Sequence, residues 1–119
     1  MYEKIKHCTT PLPIISCGEY LRASNIIYIK ALSNYSKIFL TNGKHIIIAK
    51  TLKKVEEYLD ANTFYRIHNS ILLNVHFIDR YKNIDTDKVR LQDGTCLSIS
   101  RRKRTEFKKL LTKGWLLAS

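Results

Sequence analysis

Short runs of alternating apolar and polar residues make up most of the chain, and they predict β-strands. In two places such runs flank a turn dipeptide: residues 36–41 and 44–49 around Asn42-Gly43, and residues 88–92 and 95–99 around Asp93-Gly94. Because Asn and Gly tolerate positive φ, the first pair predicts a type I′ hairpin turn. In the second hairpin Val89 and Leu91 share one face, and Leu97 and Ile99 follow on the returning strand. This hairpin is expected to have one buried face and one wet face.

Six further segments have the composition of strands: residues 13–17, 19–23, 27–31, 65–68, 71–75 and 78–82. Two others have apolar residues at helical spacing, one beginning at Thr51 and the other at Ser100. Their apolar positions are Leu52, Val55 and Leu59 in the first, and Phe107, Leu110 and Leu111 in the second. The pattern therefore predicts a mainly β protein, with small antiparallel sheets and hairpins and two short helices.

A length of 119 residues suits one domain. We expect a short charged lead over residues 1–10, the domain over residues 11–113, and an apolar tail over residues 114–119. No apolar run approaches the ~18 residues of a membrane span, and the amino end has no apolar secretion segment, so we expect no membrane association and a cytoplasmic location. Three cysteines without a Cys-x-x-Cys pair argue against a disulfide framework and a thiolate zinc site.

Charge is the first functional clue, because the chain has 21 Lys and Arg residues but only 10 Asp and Glu residues, which gives a net charge of +11. The excess is spread over both halves of the chain. A field of one sign attracts phosphate polymers and anionic membranes alike. Nucleic acid is the favoured partner, and a surplus of charge for solubility is the alternative.

The start of the second predicted helix concentrates this charge, because Ser100 is followed by Arg101-Arg102-Lys103-Arg104. Unpaired N–H groups and the positive end of the helix dipole favour an anion there. Guanidinium groups match phosphate, or the O6/N7 edge of guanine. Anion binding is the favoured interpretation of this segment, and a solvated basic helix face is the alternative.

A second polar cluster lies in residues 64–74, where Arg66, His68, Asn69, Ser70 and Asn74 stand between apolar strand residues. A turn at residues 68–70 would present such side chains to a groove, where Asn pairs with adenine and Arg with guanine. An ordinary loop, in which Asn and Ser bond their own backbone, explains the same spacing equally well.

The order of these blocks resembles the LytTR family of bacterial DNA-binding output domains. The resemblance rests on residues 64–74, Ile78, residues 89–94 and residues 99–102, with support from residues 27–31 and 51–52, and it covers residues 12–112. It implies a LytTR-like fold of mostly antiparallel strands in small sheets with short helices. It also implies loops that enter successive major grooves of double-stranded DNA, and hence a role in transcriptional regulation.

The resemblance further implies which residues touch DNA. Asn69 and Arg101 match best as base-contacting positions, and Ser36 and Lys37, in a loop that varies in the family, match less well. The expected phosphate contacts are Tyr35, Arg66, His68, Ser70, Arg102 and Lys103. This chain has Asn69 where many relatives carry Arg, a difference that bears on which base is read. Family members often occupy repeated half-sites, so two copies per operator are expected, with a receiver domain in the full-length protein unless the regulator is freestanding.

Two other classes of function are alternatives to this one. A metal-dependent nuclease would need further ligands around His68, and no set of nucleophile, base and orienting group is visible, so we expect no enzyme, no metal and no cofactor. Single-stranded RNA or DNA binding could use exposed aromatic side chains as stacking platforms. The candidates for exposure are Tyr20, Tyr28, Tyr35 and Tyr81, whereas Phe39, Tyr58, Phe64 and Phe107 are expected in the core.

Overall fold

The computed structural model describes residues 12–13, 20–79 and 87–112. Its strands are β1 (Leu12–Pro13), β2 (Tyr20–Leu21), β3 (Ile26–Leu32), β4 (Tyr35–Leu40), β5 (His45–Ile48), β6 (Phe64–His68), β7 (Ile71–Asn74), β8 (Lys88–Arg90) and β9 (Cys96–Ser98). The helices are α1 (Leu52–Glu56) and α2 (Arg101–Thr112), with 3-10 turns at Ala23–Asn25 and Val75–Phe77. The predicted class, mainly β with two short helices, is confirmed.

Five of these strands form one antiparallel sheet, in the order β5-β4-β3-β7-β6. β1 pairs with β2 and β8 pairs with β9, giving two small antiparallel pairs beside it. The strand β7, which lies between β3 and β6, is buried at all four positions, and this matches its continuous apolar run Ile71-Leu72-Leu73. The predicted strand over residues 78–82 is reduced in the described part to a single bridge between Ile78 and Leu91.

The central sheet separates two hydrophobic clusters. On one face α1 packs against the sheet, in a cluster that contains Ile29, Ile38, Leu52, Val55 and Leu72. On the other face the β8–β9 hairpin and α2 cover the sheet, in a cluster that contains Ile67, Leu73, Val89, Leu97 and Phe107. Val89, Leu91, Leu97 and Ile99 are all buried, so the predicted wet and dry faces of the second hairpin are confirmed.

Both Gly-containing hairpin turns differ from the predicted two-residue type. Among the described residues only Ser33 combines a side chain with positive φ, so Asn42 does not adopt the conformation that type I′ needs. Instead the Gly43 N–H donates to the Leu40 carbonyl (3.1 Å) and the Leu40 N–H to the Lys44 carbonyl (2.9 Å). Gly43, at φ 85°, therefore closes a three-residue loop. Gly94, at φ 94°, closes the second hairpin in the same way.

The helix starts follow the sequence. The Thr51 hydroxyl accepts the Lys54 N–H at 3.3 Å, so the predicted cap of α1 is confirmed. α2 begins at Arg101, directly after Ser100. The lead over residues 1–10, the tail over residues 114–119 and most of the strand predicted at 13–17 lie outside the described residues. No helix within the described ranges is long and apolar enough to cross a membrane.

Candidate nucleic-acid interface

Three segments meet at one end of the central sheet: the β3–β4 turn, the β6–β7 turn and the start of α2. Backbone hydrogen bonds join them. The Ala31 N–H, near the end of β3, donates to the Ser70 carbonyl in the β6–β7 turn (2.8 Å). The Ser100 N–H, directly before α2, donates to the Ile67 carbonyl near the end of β6 (2.8 Å). These three segments, which the sequence analysis proposed separately as DNA contacts, thus form one continuous edge of the domain.

The β6–β7 turn presents Asn69 outward. Its side chain is exposed, and no hydrogen bond from it to another described residue is present. Beside it, the His68 Nδ1 accepts the Ser70 backbone N–H at 3.1 Å and lies 3.0 Å from the Ser70 hydroxyl. Because a backbone N–H can only donate, Nδ1 acts as an acceptor within the turn, and Nε2 is the ring nitrogen left for an external partner. The Ser70 hydroxyl is already engaged within the turn.

Arg66 is half-buried, and its guanidinium group forms hydrogen bonds within the protein. Its Nη1 donates to the Glu56 Oε1 at 2.7 Å, its Nε to the His68 carbonyl at 3.3 Å and its Nη2 to the Asn69 carbonyl at 2.8 Å. These bonds use three of the five N–H donors of the guanidinium group. The phosphate contact expected of Arg66 stays a prediction, and the structure adds a role inside the turn.

The start of α2 carries free cationic side chains beside this turn. Arg101 and Arg102 are exposed, and neither side chain has a hydrogen bond or ion pair with another described residue. Lys103 is half-buried, with Nζ 5.5 Å from the centre of the Tyr65 ring. The Arg104 Nε donates to the Ile99 carbonyl at 3.2 Å. Arg101 and Arg102 add positive charge where the helix dipole already favours an anion.

Tyr65 fixes α2 against β6, and with it the orientation of the helix start. Its ring stacks on Phe107, with centroids 5.6 Å apart. Burial raises the pKa of the Tyr65 hydroxyl, and the charge of the nearby Glu106 carboxylate raises it further. The contacts of Lys103 and Phe107 with Tyr65 thus hold one face of α2 against β6.

The first turn, between β3 and β4, differs from the expectation. Ser36 is fully buried, and its hydroxyl donates to the Lys50 carbonyl at 2.7 Å, so it has no surface for a base and is removed from the candidate base-contacting set. Lys37 is half-buried, with Nζ 5.2 Å from the centre of the Phe39 ring. The outward positions of this segment are Asn34 and Tyr35, the latter 50% exposed.

Asn74 belongs to the structure of the domain, although the sequence placed it in the polar cluster. It is 1% exposed, its Nδ2 donates to the Ile26 carbonyl (2.9 Å), and its Oδ1 accepts the His76 N–H (2.9 Å). Asn74 ends β7, at the opposite end of the strand from the β6–β7 turn. The polar residues of 64–74 therefore fall into two groups: those at the β6–β7 turn, such as the exposed Asn69, and the buried Asn74 at the other end of β7.

The aromatic side chains give limited support for a stacking surface. Phe64 and Phe107 are buried, as expected, and Phe39 is half-buried against Tyr28, with ring centroids 4.3 Å apart. Tyr35 is exposed, and neither the side chain of Tyr20 nor Tyr81 is among the described residues. Within the described ranges, no three His, Cys, Asp or Glu side chains group in a way that would hold a metal ion.

Comparison with known proteins gives a consistent result. The family model of the LytTr DNA-binding domain matches residues 19–112. A solved structure described as the LytTr DNA-binding domain of a methyl-accepting/DNA response regulator from Bacillus cereus superposes with a TM-score of 0.67 at 20% identity, covering 87% of this chain and 95% of that one. The likeness of these two structures shows the fold.

Two curated relatives match as well. The CO-responsive transcriptional regulator RcoM of Rhodospirillum rubrum is 24% identical over 104 residues, which are 85% of this chain and 44% of that protein. An uncharacterized response regulatory protein of Vibrio cholerae is 30% identical over 63 residues, which are 50% of this chain and 24% of that protein. The chain spans less than half the length of either relative.

Proposed function

Because the chain belongs to the LytTr DNA-binding domain family, we propose that it regulates transcription by binding double-stranded DNA in the major groove through the edge formed by its two turns and the start of α2. The observation that carries this proposal is the Ser100–Ile67 hydrogen bond, which sets the exposed Arg101 beside the turn of the exposed Asn69. A major groove about 12 Å wide admits elements of this size. Bacterial cytoplasm is the corresponding place of action.

In this proposal Asn69 and Arg101 read bases. Asn pairs bidentately with adenine and Arg with guanine, and both side chains here are exposed and unengaged among the described residues. Arg102 and Lys103 hold the phosphate backbone, and Tyr35, Lys37 and the His68 Nε2 add contacts around the edge. The phosphate contacts give affinity and the base contacts give specificity.

The proposal extends to partners. Two copies on repeated half-sites would double the short sequence that one edge can read. A receiver domain in the full-length protein is also part of the proposal, in keeping with a relative that is named a response regulatory protein. Footprinting on a selected site tests the first point, since one copy per operator protects a single half-site.

The test begins with selection of bound duplexes from a random library. Arg101→Ala should weaken binding to the selected duplex by about 1–3 kcal/mol, and binding to a scrambled duplex by much less. Asn69→Ala should change the preferred base at one position of the half-site. Lys88→Ala, an exposed lysine on β8, serves as a control for the loss of one charge.

Three results would contradict the proposal. An equal loss on both duplexes would make Arg101 a phosphate contact. Unchanged selection by Asn69→Ala would remove Asn69 from base readout. Tighter binding to single strands than to duplex at one salt concentration would favour the single-strand alternative.

A further inference from the structure

The three hydrogen bonds of Arg66 span the turn that carries Asn69. The two carbonyls that accept from its Nε and Nη2 belong to His68 and Asn69. These carbonyls lie in the peptide groups immediately before and after the Asn69 Cα. Because those two peptide planes define the φ and ψ angles of Asn69, the guanidinium group restricts the direction in which the Asn69 side chain leaves the backbone.

Glu56 in turn fixes the guanidinium group. It is the last residue of α1, and its Oε1 lies 2.7 Å from the Arg66 Nη1, a short charge-assisted contact. The two side chains are 41% and 27% exposed, so the pair is only partly open to solvent. The planar fork of Arg can hold a carboxylate and two carbonyls at once, whereas the single ammonium of Lys cannot reproduce this geometry.

We propose that Arg66, held by Glu56, is a positioning residue that sets the sequence specificity of DNA binding by fixing the conformation of the β6–β7 turn. The inference rests on the proposed function, since it acts through base readout by Asn69. It assigns to α1 a part in recognition, although α1 lies on the face of the sheet opposite α2. We call the hydrogen bonds of Arg66 to Glu56 and to the two turn carbonyls the clamp. Without the clamp, the turn would present Asn69 in several orientations, and cognate binding would have to select one of them.

The clamp and a phosphate contact predict different outcomes for Glu56→Gln. If Arg66 bound phosphate, removal of the neighbouring carboxylate charge would free the guanidinium group and tighten binding to every duplex, without a change in discrimination. If Arg66 is a clamp, the neutral amide weakens its hold on the turn. Discrimination between the selected and the scrambled duplex should then fall about tenfold, the equivalent of one charge-assisted hydrogen bond.

Glu57→Gln is the matched control. It makes the same change of charge one residue further along, where Glu57 pairs with Lys54 at 3.5 Å on the exposed surface. The measurement is the ratio of dissociation constants for the two duplexes at one salt concentration. We expect a reduced ratio for Glu56→Gln, and an unchanged ratio for Glu57→Gln.

Arg66→Lys is the second variant, because it keeps the charge and removes the fork. We expect a lower ratio with an unchanged slope of log Kd against log salt. Urea unfolding of both variants separates this effect from a loss of folded protein, which would lower binding to both duplexes equally. The inference is overturned if Glu56→Gln and Glu57→Gln discriminate equally well. If the unaltered protein itself shows no preference between the duplexes, the proposed function fails instead.

Discussion

Replacement of Asn74 by Ala tests whether the end of β7 is held by a buried side-chain amide. Asn74 is 1% exposed and makes two hydrogen bonds of 2.9 Å, one to the Ile26 carbonyl on β3 and one from the His76 N–H. The first connects two neighbouring strands of the central sheet, and the second caps the 3-10 turn that follows β7. The substitution removes both bonds at once.

The expected cost follows from these two losses. Loss of a capping side chain costs about 1 kcal/mol. A carbonyl that loses its donor in the interior costs about 1–3 kcal/mol, since water does not replace the donor. Asn74→Ala should therefore lower the free energy of unfolding by about 2–4 kcal/mol, a large share of the roughly 5–15 kcal/mol that stabilises a domain.

Asn42→Ala provides the comparison, because the Asn42 Oδ1 also accepts an N–H two residues ahead, that of Lys44, at 2.9 Å. That bond lies on an exposed turn, where water can take the place of the amide, so its loss should cost under about 1 kcal/mol. Urea unfolding followed by far-UV circular dichroism gives both values. Equal losses in the two variants would refute the assignment of Asn74 as an internal anchor.

Two further predictions concern backbone strain and pH. Gly94→Ala should cost about 1 kcal/mol in urea unfolding, because Gly94 has φ 94° while an added Cβ would meet nothing within 4 Å; no loss would show that the turn readily rearranges. Burial raises the pKa of Tyr65 in the folded state, so unfolded chains lose this proton first, and the free energy of unfolding should fall as pH rises above about 10. Tyr65→Phe should show a smaller fall between about pH 8 and pH 11, and an identical fall would contradict this reasoning.

The alternation of residues in the strands is enough to place two side chains on the correct face. In β4, Ser36 shares a face with Ile38 and Leu40, and all three are buried. The period of two therefore places Ser36 inside, even though its hydroxyl suggested a contact with DNA. The same rule places Cys96 outside, since its neighbour Leu97 is buried.

Arg66 shows what the sequence could not supply. The guanidinium group of Arg66 suits phosphate binding, and the location of Arg66 in a strand directly before the turn of Asn69 was predicted correctly. Its partner Glu56 lies ten residues earlier, on a helix that packs against the sheet. Only the three-dimensional path of the chain brings this carboxylate to the guanidinium group, so the local pattern could not distinguish an internal clamp from an external contact.

The turns were predicted in place but not in type. Asn42-Gly43 marks the end of a strand correctly, because Gly43 does adopt positive φ. The dipeptide alone does not determine which residues pair across the loop. Here the Lys44 N–H binds the Asn42 side chain, and the Leu40 N–H binds the Lys44 carbonyl, so the loop gains one residue.

The central sheet is a shared wall between two separate hydrophobic interiors. Leu72 belongs to one interior, and its neighbours Ile71 and Leu73 belong to the other. Consecutive side chains of one strand thus fill different interiors, and a change of volume on the α1 side reaches the hairpin and α2 only through a shift of the shared backbone. The rigidity of this one sheet therefore determines how far a substitution in one half is felt in the other.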